Sequence, residues 1–332
     1  MPRLLPSQVL RDADRPVRVL PVCEHIAGRE RFMVKALALQ EASSVPFDVT
    51  LDLEDGAPAG KESEHATMVV DLLRTLHPSR PHRVGVRVHD IRHPSLREDL
   101  DLILHAAGDR VQYIVQPKAK NRGDVEYLSS ILQDIANDTS RHAAWPIHIL
   151  IETQRALHDV YSLAAHPDVE TLDFGSMDFV SDHAGALAMD CLHSPLQFEH
   201  ALLRNAKTRL VAAALLNGVI PSHNVTVEVS DPEQAGRDAA RARREFGFLR
   251  MWSIHPDQIQ PIVSALSPPV EEVDQAIEIL GAAQDHDWAP LEIGGRLHDR
   301  ASYRYFWTIL RRAAMSGVAL ESSVRQRFGL GD

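Results

Sequence analysis

Short apolar runs that end in polar or charged residues recur along the chain and predict the strands of a parallel sheet. In segments 47–54 and 83–89, apolar residues alternate with polar or small ones. Successive side chains of a strand point to opposite faces. One face of each strand should therefore pack against helices, and the other should carry groups such as Asp52, Arg87 and, on a later strand, Glu152. Charged groups gathered at strand ends predict the rim of a functional site.

Strands and helices alternate over most of the sequence. The predicted strands span 17–22, 47–53, 83–89, 111–116, 147–151, 171–175, 219–227 with interruptions, and 249–254. Apolar residues at helical spacing predict helices over 29–42, 62–77 and 122–137, and Asp231 and Pro232 are a plausible cap and first turn of another. Eight alternations favour a (β/α)8 TIM barrel. The rival is an open doubly wound sheet, but the predicted first turn, 21–28, lacks its glycine-rich phosphate-binding sequence.

The chain continues well past the last predicted strand. We divide it into a catalytic barrel, 1–265, and a C-terminal helical extension, 266–332, with helices near 271–286 and 301–316 and a loop over 288–300. The barrel closes without this extension. It is therefore a candidate lid or oligomer contact, and a packing element with no chemical role is the alternative.

Composition narrows the class of ligand and the compartment. The 332 residues include 35 basic and 46 acidic ones, giving a net charge of -11, which argues against binding nucleic acid or an anionic membrane. Cys23 and Cys191 are too few for a disulfide framework or a thiolate zinc site. Neither a secretory segment nor an apolar run of about 18 residues is found. We expect a cytoplasmic protein with a small-molecule substrate.

Six short motifs occur in a fixed order between residues 47 and 262. They are LDLEDGAP at 51–58, VRV at 86–88, QPK at 116–118, ILIET at 149–153, FGSMD at 174–178 and IHP at 254–256. Each motif is short, but the ordered set resembles the HpcH/HpaI aldolase and citrate lyase family. The resemblance is to its citrate lyase beta-subunit-like and malyl-CoA lyase branch. It implies a TIM barrel, a metal-dependent lyase and a homo-oligomer, a trimer or hexamer.

Glu152 and Asp178 follow consecutive predicted strands and are the candidate metal ligands. Two carboxylates suit Mg²⁺ or Mn²⁺, which prefer oxygen ligands, and Mg²⁺ commonly keeps several waters. The resemblance implies the same two ligands. The alternative is that one carboxylate caps a helix or pairs with Arg155.

Three further residues are assigned to substrate binding and catalysis. The Arg87 guanidinium can bind a carboxylate bidentately and stabilise an enolate oxygen, unless it pairs with Asp52 or Glu54. The Lys118 ammonium either faces a phosphate or substrate carboxylate or is solvated. Glu54 is placed with the catalytic groups, as support for the metal ion and its waters, although acidic residues also suit a simple turn there.

Asp299 is the candidate catalytic residue of the extension. Segment 294–299, GGRLHD, resembles the lid segment that in relatives can bring an aspartate over a neighbouring subunit's site. The resemblance implies a general acid or base, or activation of a water. The alternative is an exposed aspartate that caps a helix.

These assignments predict a Mg²⁺-dependent carbon-carbon lyase. Its substrate would be a 3-hydroxy acyl-CoA such as a malyl-, citramalyl- or citryl-CoA-like thioester, giving an acyl-CoA and a keto acid, or the reverse. Two alternatives stay open: a CoA-independent metal aldolase acting on a pyruvate-like enolate, and a noncatalytic homologue that binds CoA esters.

Overall fold

The computed structural model describes residues 3–10, 18–79 and 81–331, which fall into two compact units. The first unit is Val22–Leu266, and the second combines the described residues before Val22 with those from Ser267 onward. The short helix Pro6–Val9 thus belongs to the second unit, although the sequence-based division placed it with the barrel.

The first unit is a closed barrel of eight parallel strands in sequential order, with the last strand paired to the first. The strands are β1 Cys23–Ala27, β2 Asp48–Asp52, β3 Val84–Arg87, β4 Tyr113–Gln116, β5 Ile147–Ile151, β6 Val169–Phe174, β7 Ile220–His223 and β8 Arg250–Ser253. The predicted TIM barrel is confirmed. The charged ends of the strands therefore meet at one mouth, as parallel strands require.

The first strand was predicted too early. The described part of 17–22 contains no strand, and the barrel begins at Cys23, inside the segment that we took for the first turn. The polar pair Glu24 and His25 suggested a turn, but both are buried in the strand. Burial of Glu24 is possible because Arg250, on the adjacent strand, contacts its carboxylate at 2.6 Å.

Helices separate the barrel strands, and further helices make up most of the second unit. They are α1 Pro6–Val9, α2 Glu30–Ala42, α3 Glu62–Arg74, α4 Leu96–Ala107, α5 Arg122–Asp138, α6 Gln154–His158, α7 Val160–Ala164, α8 Ser176–Ser181, α9 Leu196–Glu199, α10 Ala201–Leu216, α11 Pro232–Arg241, α12 Ile259–Leu266, α13 Val270–Asp285, α14 Arg300–Met315 and α15 Ser322–Phe328. Asp231 stands at the start of α11, but its carboxylate accepts a hydrogen bond from Arg237 rather than from the helix backbone. Within the described ranges, no helix is long and apolar enough to cross a membrane.

The two faces of the barrel strands differ as the alternation predicts. Outward residues such as Val49, Val86 and Ile149 join the apolar core beneath the helices. Inward residues are more polar, and the rings of Tyr113 and His148 stack inside the barrel at 4.1 Å. The mouth is therefore supported by a tightly packed interior.

The second unit has its own apolar core, and part of its predicted loop is a β-hairpin. Strands β9, Leu291–Ile293, and β10, Arg296–His298, pair antiparallel. The prediction of a loop over 288–300 was wrong there. Gly294 and Gly295 both have positive φ, 55° and 75°, which suits a tight hairpin turn and was the overlooked signal.

Candidate active site

A cavity of about 150 Å³ lies at the C-terminal ends of the barrel strands. One part of its wall is polar and contains Asp55, Arg87, Glu152, Asp178 and Asn224. The other part is apolar and contains Ile26, Leu150, Phe174, Val225, Trp252 and Ile254. The C-terminal mouth is where TIM-barrel enzymes carry their active sites. Arg87, Glu152 and Asp178, which the sequence singled out, are brought together here.

Glu152 is held in place by its neighbours. It follows β5, is 2% exposed, and accepts a hydrogen bond on Oε1 from the backbone amide of Lys118. Lys118 has a left-handed backbone, with φ of 52°, at this position. Gly175, after β6, leaves room for the carboxylate, since a Cβ there would lie 2.8 Å from Glu152 Oε2. The FGSMD motif thus needs glycine for a close approach.

The electrostatics of the paired carboxylates fit a cation. Burial and the Asp178 carboxylate raise the pKa of Glu152 to about 8, and burial and Asp55 raise the pKa of Asp178. A divalent cation between such groups would offset both effects. Across 3–10, 18–79 and 81–331, no three His, Cys, Asp or Glu side chains form a metal-binding group. Two carboxylates in one cavity wall suit an ion that keeps water or substrate oxygens, and their role as metal ligands stays a prediction.

One of the two alternative contacts is absent. In the described part of the chain, Arg155 forms no ion pair with Glu152 or Asp178. The helix alternative stays open, because Asp178 lies in the first turn of α8 and a backbone hydrogen bond lowers the pKa of its carboxylate.

Arg87 is fixed by a bidentate ion pair. Its Nε and Nη2 atoms each donate to Asp52, at 2.6 Å, and Nη1 lies 3.5 Å from Glu54 Oε2. Asp52 also accepts from the backbone amides of Glu54 and Gly56, at 3.0 and 2.8 Å. Gly56 is required, because a Cβ there would lie 2.4 Å from Asp52 Oδ2. The alternative that Arg87 pairs with Asp52 or Glu54 is therefore present, and this pairing orients Arg87 in the cavity wall.

Lys118 and Glu54 lie beside the cavity. The Lys118 ammonium contacts Glu54 Oε1 and lies 3.2 Å from Asp55 Oδ1. Burial opposes protonation of this amine, but the two carboxylates raise the pKa of Lys118 above its usual value. Lys118 is therefore ion-paired rather than simply solvated, and its backbone amide is the group that reaches Glu152. Glu54 is half-buried and contacts two cations, Arg87 and Lys118, and its catalytic role stays a prediction.

Asp299 belongs to the second unit and caps α14. Its Oδ1 accepts from the backbone amides of Ala301 and Ser302, at 2.8 and 3.3 Å, and the side chain is exposed. The alternative of a helix-capping aspartate is thus present. Its catalytic role stays a prediction.

Sequence reasoning missed two parts of the cavity. Asn224, directly after β7, gave no motif signal beyond its position at a strand end. Trp252 on β8 forms part of the apolar wall, and its Nε1 donates to Asp173 at 2.8 Å. From sequence alone, an inward tryptophan on a barrel strand cannot be distinguished from an ordinary core residue.

Comparisons with known proteins show the family of the chain. The model of the HpcH/HpaI aldolase/citrate lyase family matches residues 25–256. An L-malyl-CoA/beta-methylmalyl-CoA lyase of Cereibacter sphaeroides is 26% identical over 296 residues, covering 84% of this chain and 91% of the relative.

Two solved structures resemble the chain. A citrate lyase from Burkholderia xenovorans LB400 has 46% identity and a TM-score of 0.84, covering 98% of this chain and all of the other. The protein CitE of Mycobacterium tuberculosis, in complex with magnesium, acetoacetate and coenzyme A, shares the fold at 20% identity. Its TM-score is 0.62, with 89% of this chain and 98% of the other covered. The chain belongs to the HpcH/HpaI aldolase/citrate lyase family and is a carbon-carbon lyase, as the six motifs predicted.

Proposed function

We propose that this protein is a Mg²⁺- or Mn²⁺-dependent lyase of CoA thioesters. Its substrate is a 3-hydroxy acyl-CoA of the malyl-, citramalyl- or citryl-CoA type, cleaved to an acyl-CoA and a keto acid, or formed from them. The observation that carries the proposal is the juxtaposition of the buried Glu152 carboxylate and the half-buried Asp178 carboxylate with Arg87 in one cavity. The activity named for the Cereibacter sphaeroides relative supports the choice of a thioester.

The metal ion would be held by Glu152 and Asp178. When bound, it supplies Lewis-acid polarisation of the substrate's carboxylate and neighbouring oxygen. In cleavage, the carbon-carbon bond next to the hydroxyl-bearing carbon breaks. The hydroxyl gives its proton to solvent as its carbon becomes the carbonyl of the keto acid. The electron pair passes to the thioester as an enolate, which then takes up a proton at carbon.

Arg87 offsets negative charge during this step. Asp52 binds two of its nitrogens at 2.6 Å, so the guanidinium is already oriented and loses little freedom when substrate enters. The buried pairing also raises the pKa of Arg87, although burial opposes it, so the side chain stays cationic. A fixed positive charge beside a developing enolate stabilises the transition state more than the ground state.

The shape of the cavity fits the small half of the substrate. Its volume of about 150 Å³ is suited to a compact keto or hydroxy acid, with the apolar wall facing an alkyl substituent. The same small volume is compatible with the alternative of a CoA-independent aldolase. The choice between them rests on whether a CoA thioester is turned over.

The test is a turnover screen with the full-length protein. Acetyl-CoA or propionyl-CoA is mixed with glyoxylate, pyruvate or oxaloacetate, and malyl-CoA and citramalyl-CoA are tested for cleavage, each with Mg²⁺ and with a chelator. We expect Mg²⁺-dependent interconversion of at least one thioester pair, lost in Glu152→Gln. Turnover of keto acids without any thioester would favour the aldolase, and thermal protection by CoA esters without turnover would favour a noncatalytic binder.

A further inference from the structure

Asn224 is a buried polar side chain in the cavity wall that the proposed chemistry has not yet used. It follows β7 directly, is 2% exposed, and lines the same cavity as Arg87, Glu152 and Asp178. Its Oδ1 atom is buried and has no hydrogen-bond partner in the described part of the chain. A buried acceptor without a partner carries a free-energy cost, which a ligand with a donor removes.

The donor side of the Asn224 amide is already occupied. Its Nδ2 donates to Gln197 Oε1 at 3.1 Å and to the backbone oxygen of Val225 at 2.9 Å. Its own backbone oxygen lies 3.0 Å from Nδ1 of His223. These contacts fix which end of the amide is the acceptor, so Oδ1 is the atom left for a ligand.

A buried network behind the cavity wall holds Gln197 in turn. Gln197 Nε2 donates to Asp238 Oδ2 at 2.9 Å, and Gln197 Oε1 lies 3.3 Å from the fully buried Lys207 Nζ. Asp238 also accepts from Thr226 at 2.7 Å. The orientation of Asn224 is thus built into the fold rather than left to side-chain rotation.

We infer that Asn224 Oδ1 accepts a hydrogen bond from the hydroxyl of the substrate and thereby favours a hydroxy acid over the matching keto acid. This inference rests on the proposed function. A hydroxyl carries a proton to donate, whereas a keto oxygen is only an acceptor and would face another acceptor at Oδ1. Asn224 is therefore a specificity-determining residue for the cleavage substrate, and it orients the hydroxyl whose proton is lost.

The test compares two acids that differ only at that oxygen. Lactate and pyruvate are titrated into the Mg²⁺-loaded full-length protein by calorimetry, for the native chain and for Asn224→Ala. Removal of one hydrogen bond should weaken lactate about five- to tenfold while pyruvate changes by less than about twofold. A general disturbance of the cavity would weaken both acids alike.

Two further variants serve as a control and as a replacement for Asn224→Ala. Arg97→Met removes only an exposed ion pair with Asp101, outside this network, and it should bind both acids as the native chain does. Asn224→Ser keeps a shorter polar group and should repeat the selective loss if the alanine variant fails to fold.

Four results would overturn the inference. Unchanged lactate affinity in Asn224→Ala would remove the hydrogen bond. An equal loss for both acids would show a general disturbance of the cavity and no hydrogen bond specific to the hydroxyl. If the native chain with Mg²⁺ binds neither acid but turns over a thioester, the inference alone fails. If it shows neither binding nor turnover, the proposed function fails with it.

Discussion

Two buried glutamates, Glu24 near the N-terminal end of the barrel strands and Glu152 at the mouth, have opposite electrostatic surroundings. In the N-terminal half, burial would raise the pKa of Glu24, yet Arg250 and His148 lower it to about 2. At the mouth, burial and Asp178 raise the pKa of Glu152 to about 8. A buried carboxylate with a built-in cation stabilises the fold. One facing a second carboxylate leaves a place for a cation from solution.

The ion-pair partners of the carboxylates also differ between the two ends of the barrel. Arg250 Nη2 lies 2.6 Å from Glu24 and 2.7 Å from Asp48, and Arg83 contacts Glu170 at 2.5 Å. At the mouth, Asp52 binds Arg87 through two nitrogens, and Arg87 lowers the pKa of Glu152 by less than burial and Asp178 raise it. The lower network is therefore expected to matter for stability and the mouth for ligand binding.

The largest expected effect is on stability, in Arg250→Met. The variant leaves Glu24 and Asp48 buried without their shared cation, and should lower the free energy of unfolding by roughly 3–5 kcal/mol. Urea denaturation measures this change. The control is Arg97→Met, which removes only an exposed pair with Asp101 and should cost no more than about 0.5 kcal/mol. Equal free energies of unfolding for the two variants would contradict a stabilising role for the buried network around Arg250.

Glu152→Gln should have the opposite effect, with stability retained and turnover lost. It removes a charge that burial and Asp178 disfavour, so the metal-free variant should be at least as stable as the native chain. Its lyase turnover should fall at least about hundredfold, because the amide is a poor ligand for a hard cation. Urea denaturation and a coupled turnover assay measure the two quantities. Marked destabilisation with retained turnover would place Glu152 in the structural network instead.

Arg87→Lys tests whether the site at the mouth needs the planar guanidinium group of Arg87. An ammonium keeps the charge but cannot bind Asp52 through two parallel bonds, so its position loosens. We expect kcat/KM to fall about ten- to hundredfold, with less than about 3 kcal/mol lost in stability. Steady-state kinetics and urea denaturation provide both values. Native kcat/KM in this variant would remove Arg87 from catalysis.

The smallest structural effect is expected at Asp299, where two substitutions separate capping from chemistry. Asparagine also caps helices well, so Asp299→Asn should keep native stability, whereas Asp299→Ala should lose about 1 kcal/mol. If Asp299 acts as an acid or base, both variants lose turnover. Full turnover in Asp299→Asn would leave the residue with its capping role alone.

Strand alternation and motif order were enough to predict the barrel and three of the residues that line its cavity. They located Arg87, Glu152 and Asp178 because strand parity and parallel pairing constrain where such side chains lie. The first strand was misplaced because Glu24 looked too polar for a barrel interior. Its partner Arg250 is 226 positions away in the chain, and no local pattern reports a pairing over that distance.

Other parts of the site depend on backbone detail that sequence does not display. The backbone amide of Lys118 orients Glu152, while its side chain, the expected functional group, pairs with Glu54. Asn224 stands out only once its amide is seen to be half satisfied. Such roles follow from three-dimensional hydrogen bonding rather than from residue type.

The most direct test of the central claim is Mg²⁺ binding, measured by calorimetry on the metal-free protein. The native chain should bind one Mg²⁺, and Glu152→Gln and Asp178→Asn should each weaken binding at least about tenfold. Arg97→Met, the surface control, should bind as the native chain does. Native Mg²⁺ affinity in both carboxylate variants would contradict the claim that the unneutralised pair at the mouth is the metal site.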